Sequence, residues 1–216
     1  MQAFFFDPPF VSNFWEVILK EVYLDKIYVP YVESGKKPLC LEIGANAGLV
    51  SYYLSQYFDR IIALEPSTEH FENLSKMLEF NKITNVKAIK KAIFTESGKF
   101  PFGGPPQNKT MRSLHMATWE NGKPIEEVEA ISLPDLFEQE KIDHVDFMKV
   151  DIEGNETELF SSRSFSAVAD KIDMILTEVH SWSGRNNNQL LEALRENGFE
   201  VSRVPNQAEL VFAKRK

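Results

Sequence analysis

Two apolar runs in this 216-residue chain end in acids at positions suited to binding a nucleoside. The first, Leu39-Cys40-Leu41-Glu42-Ile43-Gly44-Ala45-Asn46-Ala47-Gly48, carries Glu42 and then turns on glycine. Glycines there let the backbone approach a ligand without a Cβ in the way, and the turn presents N–H groups and a helix N-terminus to it. The second, Arg60-Ile61-Ile62-Ala63-Leu64-Glu65-Pro66, places Glu65 at its tip, where a carboxylate meets ribose hydroxyls in this architecture. Asn46 stands where a dinucleotide loop has its second glycine, and a side chain there obstructs a pyrophosphate. Glu42 would repel phosphate as well. It suits a positively charged ligand, such as the ammonium and sulfonium of S-adenosylmethionine.

Further chemistry-bearing residues follow two later apolar runs. Residues 145–150 lead into Asp151-Ile152-Glu153-Gly154, and residues 172–177 lead into Glu178-Val179-His180. In an open parallel sheet ligands bind outside the carboxyl ends of the strands, so these acids should gather with Glu42 and Glu65 at one edge. His180 is the natural general base, because an imidazole titrates near neutral pH. Glu178, two residues earlier, would orient the ring if the strand continues through both. Asp151 and Glu153 fall on one side of an extended backbone. All four are competent metal ligands, but the mixture is no metal signature and no metal is expected. Ser113 and His115 lie in a long loop where they would touch substrate. Trp182 reads either as a wall of the acceptor pocket or as packing at the edge of the core.

The elements that must position these residues alternate. Phe14, Trp15, Ile18, Leu19 and Val22 have helical spacing and suggest a lid or brace ahead of the first core strand. Val50, Tyr53, Leu54 and Tyr57 mark a helix after the glycine turn, and Phe71, Leu74 and Leu78 mark a second after Pro66. Residues 86–94 read as a third strand, and residues 99–102 as a brief edge pairing. The stretch 103–124 is the loosest, yet it holds Met111, Leu114, Met116 and Trp119, so a functional loop is expected. A short strand over 128–132 precedes a helix over 133–140. Asn155 is placed to cap a helix that carries Glu156 and Glu158 in its first turn. A helix ends at Asn197-Gly198, and strands over 199–204 and 208–213 are joined too closely for a crossover helix, which predicts an antiparallel pair. The expected fold is α/β, a single domain over 1–216 with a brace over 1–37 and a cofactor-binding core over 38–216.

Composition bounds the rest. Hydrophobic content of 43% and charged content of 26% are those of a globular domain. A net charge of −8 argues against a nucleic-acid surface. Cys40 is the one cysteine, which leaves no intrachain disulfide. No run is long and apolar enough to span a bilayer, and Asp7-Pro8-Pro9 interrupts the aromatic start, so a cytoplasmic location is expected. A homodimer is compatible with these features.

Leu41-Glu42-Ile43-Gly44-Ala45-Asn46-Ala47-Gly48 resembles the first motif of the FkbM family of S-adenosylmethionine-dependent methyltransferases. Ala63-Leu64-Glu65-Pro66 resembles its second, Lys149-Val150-Asp151-Ile152-Glu153-Gly154 its most distinctive, and Glu178-Val179-His180 the segment after its fifth strand. The resemblance implies a Rossmann-like class I methyltransferase fold, with a seven-stranded sheet whose last strand is antiparallel. It implies S-adenosylmethionine as cofactor and methyl transfer to a hydroxyl of a sugar or small metabolite. Carried over by motif, Glu42, Gly44, Ala45 and Asn46, with Gly48 closing the turn, surround the methionine part. Glu65, followed by Pro66, holds the ribose, and Lys91 and Ala92 lie near adenine. Asp151 sits beneath the sulfonium, facing the acceptor. Two other readings stay open: an NAD-dependent oxidoreductase, and a non-catalytic module of the same fold that acts through protein contacts.

Overall fold

The computed structural model describes residues 19–32, 35–104, 112–115, 123–180, 183–184 and 187–216. Its strands are β1 (Lys37–Ile43), β2 (Phe58–Leu64), β3 (Val86–Ile89), β4 (Ala92–Phe94), β5 (Gly98–Gly104), β6 (Lys123–Ser132), β7 (Phe147–Val150), β8 (Met174–Glu178), β9 (Phe199–Arg203) and β10 (Leu210–Arg215). Seven of them form one sheet in the order β3-β2-β1-β7-β8-β10-β9. β3, β2, β1, β7 and β8 pair in parallel, while β10 runs antiparallel to both β8 and β9. The expected mostly parallel sheet with a closing antiparallel hairpin is therefore present.

Side-chain alternation explains how this sheet is covered on both faces. Leu39, Leu41 and Ile43 of β1 enter a core with Ile62, Leu64 and Val150, under the helices Leu133–Glu140 and Asn187–Glu196. Cys40 enters the opposite core with Ile61, Ala63, Phe58 and Phe147, under Leu49–Leu54 and Thr68–Phe80. Burial on both faces is why these strands read as continuous apolar runs. The order reverses at β1, whose neighbours are β2 on one side and β7 on the other. That switch point is where an open α/β sheet binds its ligands.

Three expectations change. The single strand over 86–94 is two: β3 belongs to the main sheet, and β4 pairs in parallel with β6 in a separate three-stranded sheet. Lys90-Lys91 breaks the alternation between them, and Lys91 N–H turns back to the carbonyl of Ile89 at 3.0 Å. The edge pairing is a full strand, β5, antiparallel to a ten-residue β6. The segment before β1 is not one helix within its described part. A π-helical turn, Lys20–Leu24, and a four-residue helix, Val29–Val32, flank Lys26, whose φ is 54°. In the described part Val22, Tyr28 and Val32 are buried, and Tyr31 stacks on Phe212 with ring centroids 4.2 Å apart. Among the described residues no helix is long and apolar enough to cross a membrane.

Candidate active site

A cavity of about 480 Å³ opens at the carboxyl ends of β1, β2, β7 and β8. Gly44, Ala45 and Asn46 line it from β1, Glu65 and Pro66 from β2, and Asp151 and Glu153 from β7. Glu178 joins them from β8, and Lys91, Ala92 and Ser113 line it as well. Glu21 and Tyr28 close it from the segment before β1. Glu42, Gly48, His115 and His180 lie outside the lining. Trp182 lies outside the described residues, as do Phe14, Trp15 and most of 103–124.

The glycine turn is held by its own neighbours. Gly44 and Ala45 both donate their N–H groups to the carbonyl of Leu64 at 3.0 Å. Asn46 donates to Glu65 Oε2 at 2.9 Å, and Ala47 donates to the Asn46 side-chain oxygen at 2.7 Å. The turn's N–H groups therefore fix the loop, contrary to the expectation that they face the ligand. The glycines have packing reasons of the same kind. A Cβ on Gly44 (φ 80°) would stand 1.8 Å from the carbonyl oxygen of Asp151, and one on Gly48 (φ 91°) would strike Met77 and Leu74. Asn46 adopts φ 51°, a left-handed conformation that asparagine tolerates better than most residues.

Glu65 is 5% exposed, and its other oxygen, Oε1, accepts from Ser67 N–H at 2.8 Å. It therefore pins the β1 turn to the loop after β2 while lining the cavity. Arg112 pins that loop again from the far side. Its Nη1 lies 3.2 Å from Glu69 Oε2 and donates to Ser67 Oγ at 3.4 Å.

Glu42 lies wholly buried beneath the turn, where Oε2 accepts from Ser51 Oγ at 2.6 Å and Oε1 has no hydrogen-bond partner. Burial pushes its carboxyl up to about 7, against the opposing pull of Lys149 and Ser51. Lys149 is not singled out from the sequence, although a charge inside the buried stretch Phe147–Val150 is the signal for it. Its Nζ donates to the Gly44 carbonyl at 2.8 Å and to Asp151 Oδ2 at 3.2 Å, bridging the β1 and β7 loops. Burial pulls the ammonium down, but Asp151 and Glu42 outweigh it and raise it.

His180 gathers the acids. Its Nε2 lies 3.4 Å from Glu153 Oε2 and 3.9 Å from both Asp151 Oδ1 and Glu178 Oε1. Asp151 and Glu153 do face one target, but through a tight turn with Glu153 at φ 52° rather than through an extended strand. Glu178 does not orient the ring, because β8 ends at Glu178 and His180 lies beyond it. Glu156 does so: it is 2% exposed and its Oε1 meets His180 Nδ1 at 3.0 Å. Burial pulls the imidazole down, but Glu156, then Glu153 and Asp151, outweigh it and push it up to about 10. A raised imidazole favours the form protonated on both nitrogens, which donates rather than abstracts. Burial, then the charge of Asp151, pushes Glu178 up to about 8 and holds Glu153 well above the usual carboxylate range. Asn155 does not cap the helix after it. Its Oδ1 accepts from His115 N–H at 2.8 Å, and its amide donates to Glu158 at 3.2 Å.

Known proteins resemble this chain in sequence and fold. Methyltransferase sdnD of Sordaria araneosa is 25% identical over 239 residues, covering 93% of this chain and 90% of that protein. The crystal structure of methyltransferase FkbM from Methylobacillus flagellatus KT superposes with a TM-score of 0.56 at 14% identity over 82% of this chain. This chain spans 43% of the length of that structure. SMU.1697c from Streptococcus mutans, solved in complex with SAH, superposes with a TM-score of 0.55 at 11% identity, covering 90% and 97% of the two chains. These likenesses establish a class I methyltransferase fold. The profile of the methyltransferase FkbM domain matches residues 42–201, so the chain belongs to the FkbM methyltransferase family.

Proposed function

We propose that the protein transfers a methyl group from S-adenosylmethionine to a hydroxyl of a sugar or small metabolite. The observation that carries this reading is the convergence of Gly44–Asn46, Glu65 and Asp151 from three strand ends on one cavity at the switch point. The likeness to a structure holding SAH supports the same cofactor. The donor set fits it: carboxylates suit a ribose diol and a sulfonium, and Asn46 is unsuited to a pyrophosphate. When bound, the cofactor supplies an electrophilic methyl group. Glu65 retains acceptor lone pairs for ribose hydroxyls beyond its two backbone bonds. Lys91 and Ala92, lining the same cavity, would flank the adenine. Asp151 lines the other end beside Glu153 and Glu178 and gives the acceptor's hydroxyl proton a destination. His180, behind them, organises their charge. Tyr28 and Glu21 narrow that end, exclude water and hold the acceptor in line, which makes the step effectively unimolecular. Within this reading the segment over 1–37 serves the core as a brace.

Calorimetric titration with S-adenosylmethionine and S-adenosylhomocysteine tests it. Micromolar binding, lowered at least about tenfold in Glu65→Gln, supports the cofactor and its site. Well-folded protein that binds neither ligand, or a variant that binds as the wild type does, overturns the assignment.

A further inference from the structure

We propose that Asp151, Glu178 and His180 bind a divalent transition-metal ion of the Mn²⁺ or Zn²⁺ kind at the acceptor end of the cavity. One ligand atom from each lies within 4.8 Å of the other two. Donor atoms held about 2.1 Å from one ion stand roughly 3–3.5 Å apart. His180 Nε2 is 3.9 Å from both Asp151 Oδ1 and Glu178 Oε1, so these two edges of the set must close by about 0.5 Å, and the Asp151–Glu178 edge starts within 4.8 Å.

The opposite ring nitrogen gives an independent reason. Nδ1 faces Glu156 Oε1 at 3.0 Å, and that carboxylate is itself fixed by the N–H groups of Ile152 at 2.9 Å and Gly154 at 3.3 Å. An ionised carboxylate only accepts, so Nδ1 keeps its proton and Nε2 is the nitrogen turned to the cavity acids. A histidine that ligates a metal almost always donates its other N–H to such a group, which fixes the ring and raises its basicity. Here that group is built, buried and separate from the three ligands.

One imidazole with two carboxylates selects an ion that accepts both nitrogen and oxygen, ahead of Mg²⁺ or Ca²⁺. The side chains of Asp151 and Glu178 are 30% and 36% exposed and line the cavity, so open coordination positions face the acceptor. An imidazole nitrogen and carboxylates bind a metal only when deprotonated, so binding releases to solvent whatever protons the three ligands hold. An acceptor hydroxyl on the ion gives up its proton more readily, ultimately to solvent. This last role rests on the methyl-transfer reading; the binding does not.

A second group among the described residues, His144, Asp146 and Asp173, lies before β7 and β8 at the other end of the sheet and serves as a control. The experiment is calorimetric titration of purified protein, stripped with chelator, with MnCl₂, ZnCl₂ and MgCl₂. Expected is one equivalent of Mn²⁺ or Zn²⁺ at micromolar affinity, weaker Mg²⁺, and at least a tenfold loss in both Glu178→Gln and His180→Gln. Glu156→Gln should lose about tenfold through the ring it orients, and His144→Ala should change nothing. The site is overturned by absent binding, by binding that survives both ligand substitutions, or by binding lost with His144. Should the ligand variants not fold, nitrogen hyperfine coupling in the Mn²⁺ resonance spectrum of the wild type decides, and its absence overturns the site. S-adenosylhomocysteine titrated into the same samples separates the two readings. Ion binding without it keeps the metal site and removes methyl transfer; the reverse does the opposite.

Discussion

Gly44 and Asp151 meet so closely that a Cβ on the glycine would stand 1.8 Å from the aspartate's carbonyl oxygen. The contact joins the turn after β1 to the segment after β7, the two loops that flank the switch point. Asp151 N–H in turn donates to the Ile43 carbonyl at 3.1 Å, so the approach is fixed by backbone on both sides. Neither loop can retreat without breaking a ladder.

Gly44→Ala should therefore be costly. The positive φ alone costs about 1–2 kcal/mol for a residue with a Cβ, and the clash adds a displacement of Asp151. The expected outcome is a melting temperature several degrees lower and at least a tenfold loss of S-adenosylhomocysteine affinity. Wild-type values for both would show that the loops adjust independently.

Glu42 predicts a pH dependence of stability. Its folded carboxyl is raised from 4.5 to about 7, chiefly by burial. A raised carboxyl gives stability that is present below the unfolded value and lost as pH rises through the folded one. The ligand-free protein should thus lose on the order of 3 kcal/mol from this group between about pH 4.5 and 7. Glu42→Gln, which keeps a partner for Ser51, should lack that loss. Denaturant unfolding across this range checks it, and parallel curves for the two proteins would sink the idea.

Much of the fold was legible because burial leaves a periodic trace. The continuous apolar runs of β1 and β2, and the short join between β9 and β10, dictate strands that the structure contains. The strand tips were legible too, since Glu65, Asp151, Glu153 and Glu178 do reach one cavity. What the sequence does not display is which neighbour each polar group satisfies. Gly44 and Gly48 read as clearance for a ligand and instead clear Asp151, Met77 and Leu74. Glu156 reads as a helix-end acid and instead holds His180. The ring's charge follows from four acids scattered over residues 151–178, a sum that no local pattern records. The split of 86–94 turns on one lysine pair, whose effect depends on a β6 that begins some thirty residues later.

Lys149 should be needed for both stability and site geometry. Its ammonium is the bridge between the Gly44 carbonyl and Asp151 Oδ2, and it opposes the charge of Glu42. Lys149→Met keeps the stem's volume and removes the bridge. A buried charged hydrogen bond is worth about 1.5–3 kcal/mol, so unfolding free energy should fall by that order. Turnover should fall further than cofactor affinity, because Asp151 loses the group that fixes one of its oxygens. Equal losses in both would assign Lys149 to cofactor binding instead.

Arg112 predicts a kinetic effect at the ribose end. Its side chain is 9% exposed, and Nη1 reaches Glu69 and Ser67, while Ser67 N–H holds Glu65. The neighbouring Ser113 exchanges two backbone hydrogen bonds with Gly103, at 2.9 and 3.2 Å, and His115 N–H reaches Asn155. Residues 112–115 thus tie the loop after β2 to the loop after β7 across the cavity. Cutting the first tie with Arg112→Ala frees the Glu65 loop and leaves the acids around His180 in place. The expected result is faster release of S-adenosylhomocysteine, a KM for S-adenosylmethionine raised about threefold to tenfold, and a kcat changed less than twofold. Stopped-flow displacement and steady-state kinetics measure the two. A collapse in kcat at unchanged release rate would place Arg112 in the chemical step instead.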